Sequence, residues 1–391
     1  MDYDKALARF QPISAAPIKD SERKARIALL QQLMRAQGLR AVWLDASSSL
    51  TYFTGLVIHG SERMHGAIVP SEGVLTYVTP AFEEPKLQTM LILPGEILRW
   101  EEHEAPGPMI AALARALNAP GEGLALDPAT PFLFAETMMG QGIEILPARG
   151  LIAGLRQIKS AAEIAIIQTA MDASFQVQRA VHAGLCTGIS TTEVSSFIDA
   201  AHSAMGMIPQ FAITLFGEAT AYPHGVPYPQ ILKPGDMVLV DMGAILSGYY
   251  SDITRSYVYG APPTDRQRAV WGAEYAAQAA AFAAAQIGAP CSAVDRAARG
   301  ALEAAGYGPD YAVPGLPHRT GHGLGSDIHE DPFIVRGNDT PLAPGMVFSI
   351  EPMLCIYGEC GVRLEDICHM TEAGPRWFCR PATDPVRPFD T

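Results

Sequence analysis

The chain has 391 residues, of which 48% are hydrophobic and 18% are charged, so it can fill a core and is not a disordered protein. Its 28 basic and 41 acidic residues give a net charge of −13, which disfavours nucleic acid as the main partner because phosphate binding needs a basic surface. At roughly 150 residues per domain, this length suggests two or three domains.

Cysteine usage and the N-terminus indicate the cellular compartment. Six cysteines are too few for a disulfide scaffold, and no C-x-x-C spacing occurs, so we expect reduced thiols. The N-terminal residues MDYDKALARF lack a basic region followed by an apolar one, and the chain has no uncharged apolar stretch of about 18 residues. We therefore expect a cytoplasmic globular protein without a signal peptide or membrane span.

The first part of the chain alternates helical and strand-like patterns. Residues 20–38 have helical spacing of apolar side chains and end at a glycine. The sequence predicts further helices near 106–118 and 130–140 and short strands at 41–45, 66–70, 74–78, 123–127 and 143–147. This alternation predicts a small α/β domain over residues 1–155.

At residue 160 the pattern changes. Ser160 and Glu163 form the sequence signature of a capping box, which predicts a long helix that ends near His182. A second helix is predicted at 191–205. The sequence then predicts strands at 211–217, 237–260, 346–354 and 361–370, interrupted by helices at 263–287 and 292–305. Residues 156–391 are therefore expected to form an α+β domain with helices packed on one side of the strands.

Two segments of this second domain resemble each other. LKPGDMVLVDMG (232–243) and LAPGMVFSIEP (342–352) both contain Pro-Gly, then an apolar run, then a carboxylate six residues after the glycine. These carboxylates are Asp241 and Glu351. Because the turn, the apolar run and the acid agree together, we predict a duplicated half-domain with an internal pseudo-two-fold axis.

Each segment is also followed by a second acid and preceded by a histidine between small neighbours. The second acids are Asp252 and Glu365, and the histidines are His224 and His322. Carboxylates in apolar strands should be buried, and four of them together would repel one another strongly unless positive charge lies between them. Arginine salt bridges could supply that charge, but the basic residues nearby are few.

A pair of divalent cations neutralises four such carboxylates better. Oxygen ligands with one imidazole suit Mn²⁺, Zn²⁺, Co²⁺ or Fe²⁺ rather than a soft metal. In dinuclear sites of this kind the metals lie about 3.5–4 Å apart, and a bridging water becomes a hydroxide nucleophile. The predicted ligands are Asp241, Asp252, His322, Glu351 and Glu365.

The string HRTGHGLGSDIHEDP (318–332), together with VDMG, YYSDITRSY, SIEPM and VRLED, resembles the metallopeptidase family of methionine aminopeptidase, Xaa-Pro aminopeptidase, prolidase and creatinase. The resemblance covers about 160–375 and implies the pita-bread fold. Segments LTYFTGL (50–56) and SERMHGAIVP (61–70) resemble the accessory N-terminal domain of the prolidase and creatinase branch. Methionine aminopeptidases lack that domain, so its presence favours the proline-directed or creatinase-like branch.

The resemblance also implies a role for each motif residue. Asp241 would bind one metal, Asp252 and Glu365 would bridge both, and His322 and Glu351 would bind the second. All five ligand types of the active peptidases are present, whereas creatinases and non-enzymatic binding proteins of this fold lose some or all of them.

Further residues around the ligands would act on the substrate or on the ligands. Glu351 would take a proton from the attacking water. His224 and His329 would stabilise the tetrahedral intermediate and the leaving nitrogen, and His318 corresponds to a further pocket histidine. Arg363 would orient Glu365. An arginine that forms a salt bridge with the site carboxylates also orients them, so these two roles of Arg363 are the same physical effect.

The function implied by the resemblance is hydrolysis of Xaa-Pro dipeptides by a hydroxide bound to two divalent metals, Mn²⁺ first and Zn²⁺ or Co²⁺ as alternatives. The substrate would be a small peptide with proline at its second position, and the enzyme would be a homodimer. An Xaa-Pro aminopeptidase of longer peptides, a hydrolase or lyase of the same fold acting on a small molecule, and a metal-free binding protein are the alternatives.

One position departs from the pattern of the family. Some prolidases place an arginine four residues after the histidine that corresponds to His329, where it holds the carboxylate of the dipeptide. This chain has Phe333 there, and the next arginine is Arg336. Arg336 is therefore the predicted substrate contact, with Arg319 or a residue of the N-terminal domain of a partner subunit as alternatives.

Overall fold

The computed structural model describes residues 3–117 and 123–389, which divide into two compact units. One unit comprises residues 18–156. The other comprises the residues from Gln157 onwards, joined by those that precede Ile18. No helix in the described part of the chain is long and apolar enough to cross a membrane.

The segment before Ile18 differs from the expectation that it belongs to the first domain. It contains helix α1 (Tyr3–Leu7). The backbone N–H of Ile13 donates to the carbonyl of Met205 at 3.0 Å, and the ring of Phe10 packs edge-on against Phe197 with 6.3 Å between centroids. These contacts attach the segment to the C-terminal unit.

The unit of residues 18–156 is built on one six-stranded sheet in the order β4-β3-β2-β1-β5-β6. Its strands are β1 (Ala41–Asp45), β2 (Gly66–Pro70), β3 (Thr76–Pro80), β4 (Glu96–Trp100), β5 (Leu124–Leu126) and β6 (Ile145–Pro147). Its helices are α2 (Asp20–Ala36), α3 (Ser48–Thr54), α4 (Glu84–Met90), α5 (Pro106–Leu117), α6 (Phe132–Met139) and α7 (Arg149–Arg156). Helices α3, α4 and α7 and strand β4 were not predicted from the sequence.

Both faces of this sheet are covered. Along β1, Val42 and Leu44 pack on one side against Leu30 and Met34 of α2, while Trp43 packs on the other side in a second apolar cluster formed with α5 and α6. Successive strand residues point to opposite faces, so the uninterrupted apolar run of β1 is what a strand between two helical layers requires.

The C-terminal unit contains four long helices and three groups of strands. The helices are α8 (Ala161–Gly184), α9 (Thr191–Ala204), α10 (Asp265–Ala284) and α11 (Cys291–Ala304). The strands are β7 (Ile208–Phe216), β8 (Met237–Leu246), β9 (Tyr249–Tyr250), β10 (Ile253–Val258), β11 (Gly321–Gly323), β12 (Glu330–Ile334), β13 (Val347–Ile350), β14 (Met353–Ile356), β15 (Cys360–Arg363), β16 (Asp366–Thr371) and β17 (Gly374–Trp377). The predicted capping box of α8 is confirmed, with Ser160 and Glu163 each accepting from the backbone of the other.

The arrangement repeats within this unit, as the duplicated segments predict. Helices α8 and α9 precede a sheet in the order β10-β8-β7, and helices α10 and α11 precede a sheet in the order β12-β11-β13-β16-β17. The central strands β8 and β13 lie in the two similar segments. Each pairs antiparallel with the strand that directly follows the next acid, which is β10 after Asp252 and β16 after Glu365. An antiparallel bridge between Thr254 and Glu365 joins the two halves.

Candidate metal centre and substrate cavity

The four predicted carboxylates come together at the junction of the two half-repeats. Asp241 lies within β8, and Asp252 directly precedes β10. Glu351 directly follows β13, and Glu365 directly precedes β16. Asp241, Asp252 and Glu365 are buried, and the side chain of Glu351 is 13% exposed. The strands therefore bring two acids from each half to one buried place.

His322 completes this cluster. Its Nε2 atom lies 3.0 Å from Oε1 of Glu351 and 3.6 Å from Oδ2 of Asp252. Its Nδ1 atom lies 3.1 Å from the carbonyl oxygen of Gly323, a contact that places a proton on Nδ1. Nε2 is therefore the ring nitrogen that faces the acids, and it is the atom that would bind a metal.

The glycines on either side of His322 are required by close packing. A Cβ atom on Gly321 would collide with the carbonyl oxygen of Ser349, and one on Gly323 would collide with the backbone of Asp331. The hydroxyl of Ser349 accepts a hydrogen bond from the N–H of His322 at 2.9 Å and donates to Oε1 of Glu351 at 3.1 Å. The G-H-G motif thus lets β11 lie close enough to β13 to aim His322 at Glu351.

The cluster fits divalent metal ions. Ligand atoms of Asp252, His322 and Glu365 all lie within 4.8 Å of one another. Oδ1 of Asp241 and Oε1 of Glu365 are buried and have no hydrogen-bond partner within the part of the chain that the structure describes. Buried carboxylate oxygens without partners are costly unless something positive contacts them. Carboxylates with one imidazole form the ligand set of a borderline or hard divalent cation.

The acidities of these groups follow from their burial and mutual repulsion. Burial, followed by the negative charges of its neighbours Glu365 and Asp241, raises the pKa of Asp252 well above its usual value. Burial and the charges of Glu351 and Asp241 likewise raise the pKa of Glu365. Burial also opposes ionisation of Glu351, but the charge and hydrogen bond of His322, together with the charges of His318 and Arg363, outweigh it, and the pKa of Glu351 falls to about 2. Without a cation, ionisation of all four carboxylates at once is therefore unfavourable.

Arg363 is the basic residue that reaches the cluster, although not by the contact that the resemblance implied. Its Nη2 atom donates to Oδ2 of Asp241, and its Nε atom donates to Oγ1 of Thr254 at 3.1 Å. Thr254 in turn donates to Oε2 of Glu365 at 2.5 Å. Arg363 therefore pairs directly with Asp241, and it acts on Glu365 through Thr254. Arg255 forms its ion pair with Asp366 instead, at 2.7 Å.

Two buried glutamines, neither of them predicted from the sequence, hold the strands next to the acids. The side-chain amide of Gln178 on α8 donates to the carbonyls of Val240 and Ile253, at 2.8 and 3.1 Å. The amide of Gln278 on α10 donates to the carbonyls of Ile350 and Leu364, at 3.4 and 3.0 Å.

These four carbonyls belong to residues next to Asp241, Asp252, Glu351 and Glu365. The two glutamines thus occupy equivalent places in the two half-repeats. The available signal in the sequence is a polar residue on the buried face of each helix that precedes a ligand-bearing sheet.

A cavity of about 600 Å³ opens next to the cluster. It is lined by Tyr222, Pro223, His224, Gly225, Pro317, His318, Arg319, His329, Glu351, Tyr357 and Arg363. A smaller cavity of about 190 Å³ is lined by the five predicted ligands, by His224, His329 and Arg363, and by the apolar side chains of Phe211, Ile213 and Ile328. All three histidines predicted to contact substrate therefore line a cavity beside the acids.

Two of the cavity histidines, His318 and His329, are held mainly in their neutral forms. The ring of His329 packs edge-on against His322 with 4.3 Å between centroids, and burial, His322 and Arg319 together lower its pKa to about 4. Burial also lowers the pKa of His318. Nδ1 of His318 lies 2.6 Å from the carbonyl of Arg319, and its buried Nε2 has no hydrogen-bond partner among the described residues.

The structure places the predicted substrate contact Arg336 elsewhere. Its guanidinium is half-exposed and forms an ion pair with Asp310, and Arg336 lines neither of the two cavities beside the acids. Arg319, the alternative, lines the larger cavity, and its guanidinium carbon lies 4.7 Å from the centroid of the Phe333 ring. The position of Arg336 therefore does not support a role in substrate binding.

Two models of known protein families match this chain. A family model described as metallopeptidase family M24 matches residues 164–372, and a model described as the creatinase/prolidase N-terminal domain matches residues 26–158. The first of these matches contains every predicted metal ligand.

Relatives and solved structures match nearly the whole chain. A putative dipeptidase, YkvY of Bacillus subtilis, is 32% identical over 357 residues, which are 89% of this chain and 96% of the relative. An Xaa-Pro dipeptidase of Lactobacillus delbrueckii is 30% identical over 364 residues, which are 89% of this chain and 95% of the relative. The crystal structure of dipeptidase PepE from Mycobacterium ulcerans is 31% identical, with a TM-score of 0.87 over 95% of this chain and 99% of that one.

Proposed function

The chain belongs to metallopeptidase family M24, and we propose that it hydrolyses Xaa-Pro dipeptides with the aid of two divalent metal ions. The observation that carries the proposal is the buried cluster of four carboxylates and His322. It contains oxygens that have no hydrogen-bond partner among the described residues, and it opens onto a cavity lined by three histidines. The relatives named dipeptidase and Xaa-Pro dipeptidase support the choice of a dipeptide substrate.

Five side chains would hold the two ions. Asp241 would bind one ion, His322 and Glu351 the other, and Asp252 and Glu365 both. When bound, such ions lower the pKa of a coordinated water and polarise the carbonyl of the bond to be broken. Mn²⁺ is the ion that we propose first, with Zn²⁺ and Co²⁺ as alternatives, because carboxylates outnumber the single imidazole.

The protein's own groups would move the protons. Glu351 is ionised at neutral pH, because its pKa lies below the usual value, and it would accept a proton from the attacking water. Neutral His329 donates a hydrogen bond to the carbonyl oxygen, where negative charge develops. As the water oxygen bonds to the carbonyl carbon and the C–N bond breaks, the proton from Glu351 passes to the proline nitrogen, which lies towards His224.

The cavity walls suit the two residues of such a substrate. The rings of Tyr222 and Tyr357 lie 5.1 Å apart at their centroids and give the larger cavity an apolar wall that can contact a proline ring. Phe211, Ile213 and Ile328 give the smaller cavity an apolar wall that can contact the side chain of the first residue. We therefore expect small and medium apolar side chains before proline to be preferred.

The proposal includes a homodimer that acts in the cytoplasm on small peptides, without nucleic acid or membrane partners. All six cysteines are free thiols, and five of them are buried, which fits a reducing compartment. Size-exclusion chromatography with light scattering tests the dimer, and a monomeric mass at micromolar concentration contradicts it.

The deciding experiment compares peptides of different length and composition. The purified protein is supplemented with Mn²⁺, its metal content is measured, and it is assayed with Ala-Pro, Met-Pro, Ala-Ala and Ala-Pro-Ala. We expect turnover of the two Xaa-Pro dipeptides and little of the others. Turnover of Ala-Pro-Ala alone supports an Xaa-Pro aminopeptidase instead. Less than one equivalent of metal and no turnover of any peptide supports a metal-free binding protein.

A further inference from the structure

The larger cavity contains two arginines, and they differ in what they contact. Arg363 is buried, and its guanidinium donates to Asp241, to Thr254 and to the carbonyl of Pro223. Arg319 lines the same cavity, but its guanidinium forms no hydrogen bond or ion pair with any residue that the structure describes. The cavity therefore has one positive charge that the protein leaves available.

Arg319 is nevertheless held in place. Its guanidinium lies over the ring of Phe333, a contact that combines stacking with cation–π attraction. The backbone on both sides is also fixed, because Arg299 donates to the carbonyl of His318 at 2.6 Å and Asp295 accepts from the N–H of Thr320 at 3.2 Å. An arginine that is oriented before the ligand arrives loses little entropy on binding.

The place of Arg319 relative to the acids determines which ligand it suits. Its positive charge is close enough to His329 to lower the pKa of that histidine. The ring of His329 in turn packs against His322 of the acidic cluster. An oriented guanidinium that lacks an anion pairs best with a planar carboxylate, through two parallel hydrogen bonds. In a dipeptide the free carboxylate lies one residue beyond the bond to be broken, whereas in a longer peptide an uncharged amide occupies that place.

We propose that Arg319, stacked on Phe333, binds the C-terminal carboxylate of the substrate and thereby selects dipeptides over longer peptides. This assignment rests on the proposed peptidase function. It makes Phe333 a positioning residue, which acts through the guanidinium it supports. Arg336 takes no part, because its charge is paired with Asp310 outside the cavity.

The first test measures hydrolysis with and without the carboxylate. The metal-loaded wild type and the variants R319L, R319K and R336L are assayed with Ala-Pro and with Ala-Pro amide, which lacks the negative charge. We expect R319L to lower kcat/KM for Ala-Pro by about 10- to 100-fold, mainly through KM, and to change little with the amide. R319K should retain part of the activity, and R336L should behave as wild type. An R319L enzyme with wild-type kcat/KM for Ala-Pro overturns the assignment.

The second test measures binding without turnover. Calorimetric titrations of the metal-loaded proteins with L-proline and with L-prolinamide report the preference for a carboxylate directly. We expect the wild type and R336L to bind proline more tightly than prolinamide, and R319L to lose that preference. An unchanged preference in R319L, or none in the wild type, overturns the assignment. A wild type that hydrolyses neither Ala-Pro nor its amide refutes the proposed function, and this titration then decides the role of Arg319 alone.

Discussion

The two buried glutamines on α8 and α10 lead to a prediction about metal binding. We consider the change Gln278→Leu, which keeps the volume of the side chain and removes its amide. In the structure this amide donates to the carbonyls of Ile350 and Leu364 and to Oδ2 of Asp366, at distances from 3.0 to 3.4 Å. Those carbonyls lie directly before Glu351 and Glu365 in the chain, so the loss is transmitted to two ligands at once.

The magnitude follows from the groups left without a partner. A buried polar group that loses its partner costs about 1–3 kcal/mol, so the two carbonyls together cost about 2–6 kcal/mol of folding free energy. Loss of a group that orients metal ligands typically lowers metal affinity by about 10- to 100-fold. Gln178→Leu removes two donated hydrogen bonds rather than three and should have a similar but smaller effect.

The assay separates the loss of metal affinity from a loss of folding. Affinity for Mn²⁺ is measured by equilibrium dialysis at a temperature well below the melting temperature, which is measured for the same samples by calorimetry. Gln176→Leu is the matched control, because Gln176 is exposed on α8 two residues from Gln178. If Gln278→Leu binds Mn²⁺ as tightly as the wild type, the inferred role of the glutamines is refuted, whatever happens to the melting temperature.

Three further results are expected. Asp252→Asn should stabilise the chelator-treated protein by about 1–2 kcal/mol, because it removes a buried charge that Glu365 and Asp241 repel, and it should weaken Mn²⁺ binding; an unchanged melting temperature in chelator would contradict this. Burial lowers the pKa of His202 to about 4, so between pH 6.5 and 4 the unfolded chain binds a proton that the folded chain does not, and stability falls as pH falls. Between pH 7 and pH 5, the free energy of unfolding, measured with urea, should therefore fall by about 2 kcal/mol less in His202→Gln than in the wild type. An equal fall in both proteins would exclude this role of His202. His329→Ala should lower kcat for Ala-Pro by about 100- to 1000-fold with a smaller change in KM, whereas a change in KM alone would argue against transition-state stabilisation by His329.

The fold, and the meeting of the four acids with His322 in one buried place, were largely predictable from the sequence. The pita-bread fold and the accessory N-terminal domain are confirmed by the two family models and by the match to PepE. The meeting of the acids was predictable because an acid within an apolar strand is a rare and costly choice, and because the turn, apolar run and acid recur in both halves. For the same reason, Asp241 and Glu351 could be paired as equivalents before their positions were known.

Side-chain direction and helix orientation could not be predicted in the same way. The sequence places Arg319 and Arg336 on either side of the strand pair β11 and β12, but it does not tell which guanidinium extends into the cavity. Likewise, Gln178 and Gln278 read as ordinary polar residues of long helices. Their importance depends on which carbonyls lie opposite them, and that is determined by the packing of each helix on its sheet.

Helix α3 shows a local signal that was overlooked. Ser47 caps this helix by accepting from the N–H groups of Ser49 and Leu50, and Gly55 ends it in the left-handed region with φ of 78°. Both residues are typical helix boundaries. The helix has only seven residues, so periodicity alone was too short to distinguish it from a loop.

The bridge between Thr254 and Glu365 has a consequence for the ancestry of the molecule. Asp241 and Asp252 come from one half-repeat, and His322, Glu351 and Glu365 come from the other, so neither half alone carries the complete set of proposed ligands. A half-length ancestor would have had to associate with a second copy of itself before it could enclose a pair of ions. Fusion of the two copies would then have allowed each to diverge, so that His224 and His322, which precede the two similar segments, could take different roles beside the acids.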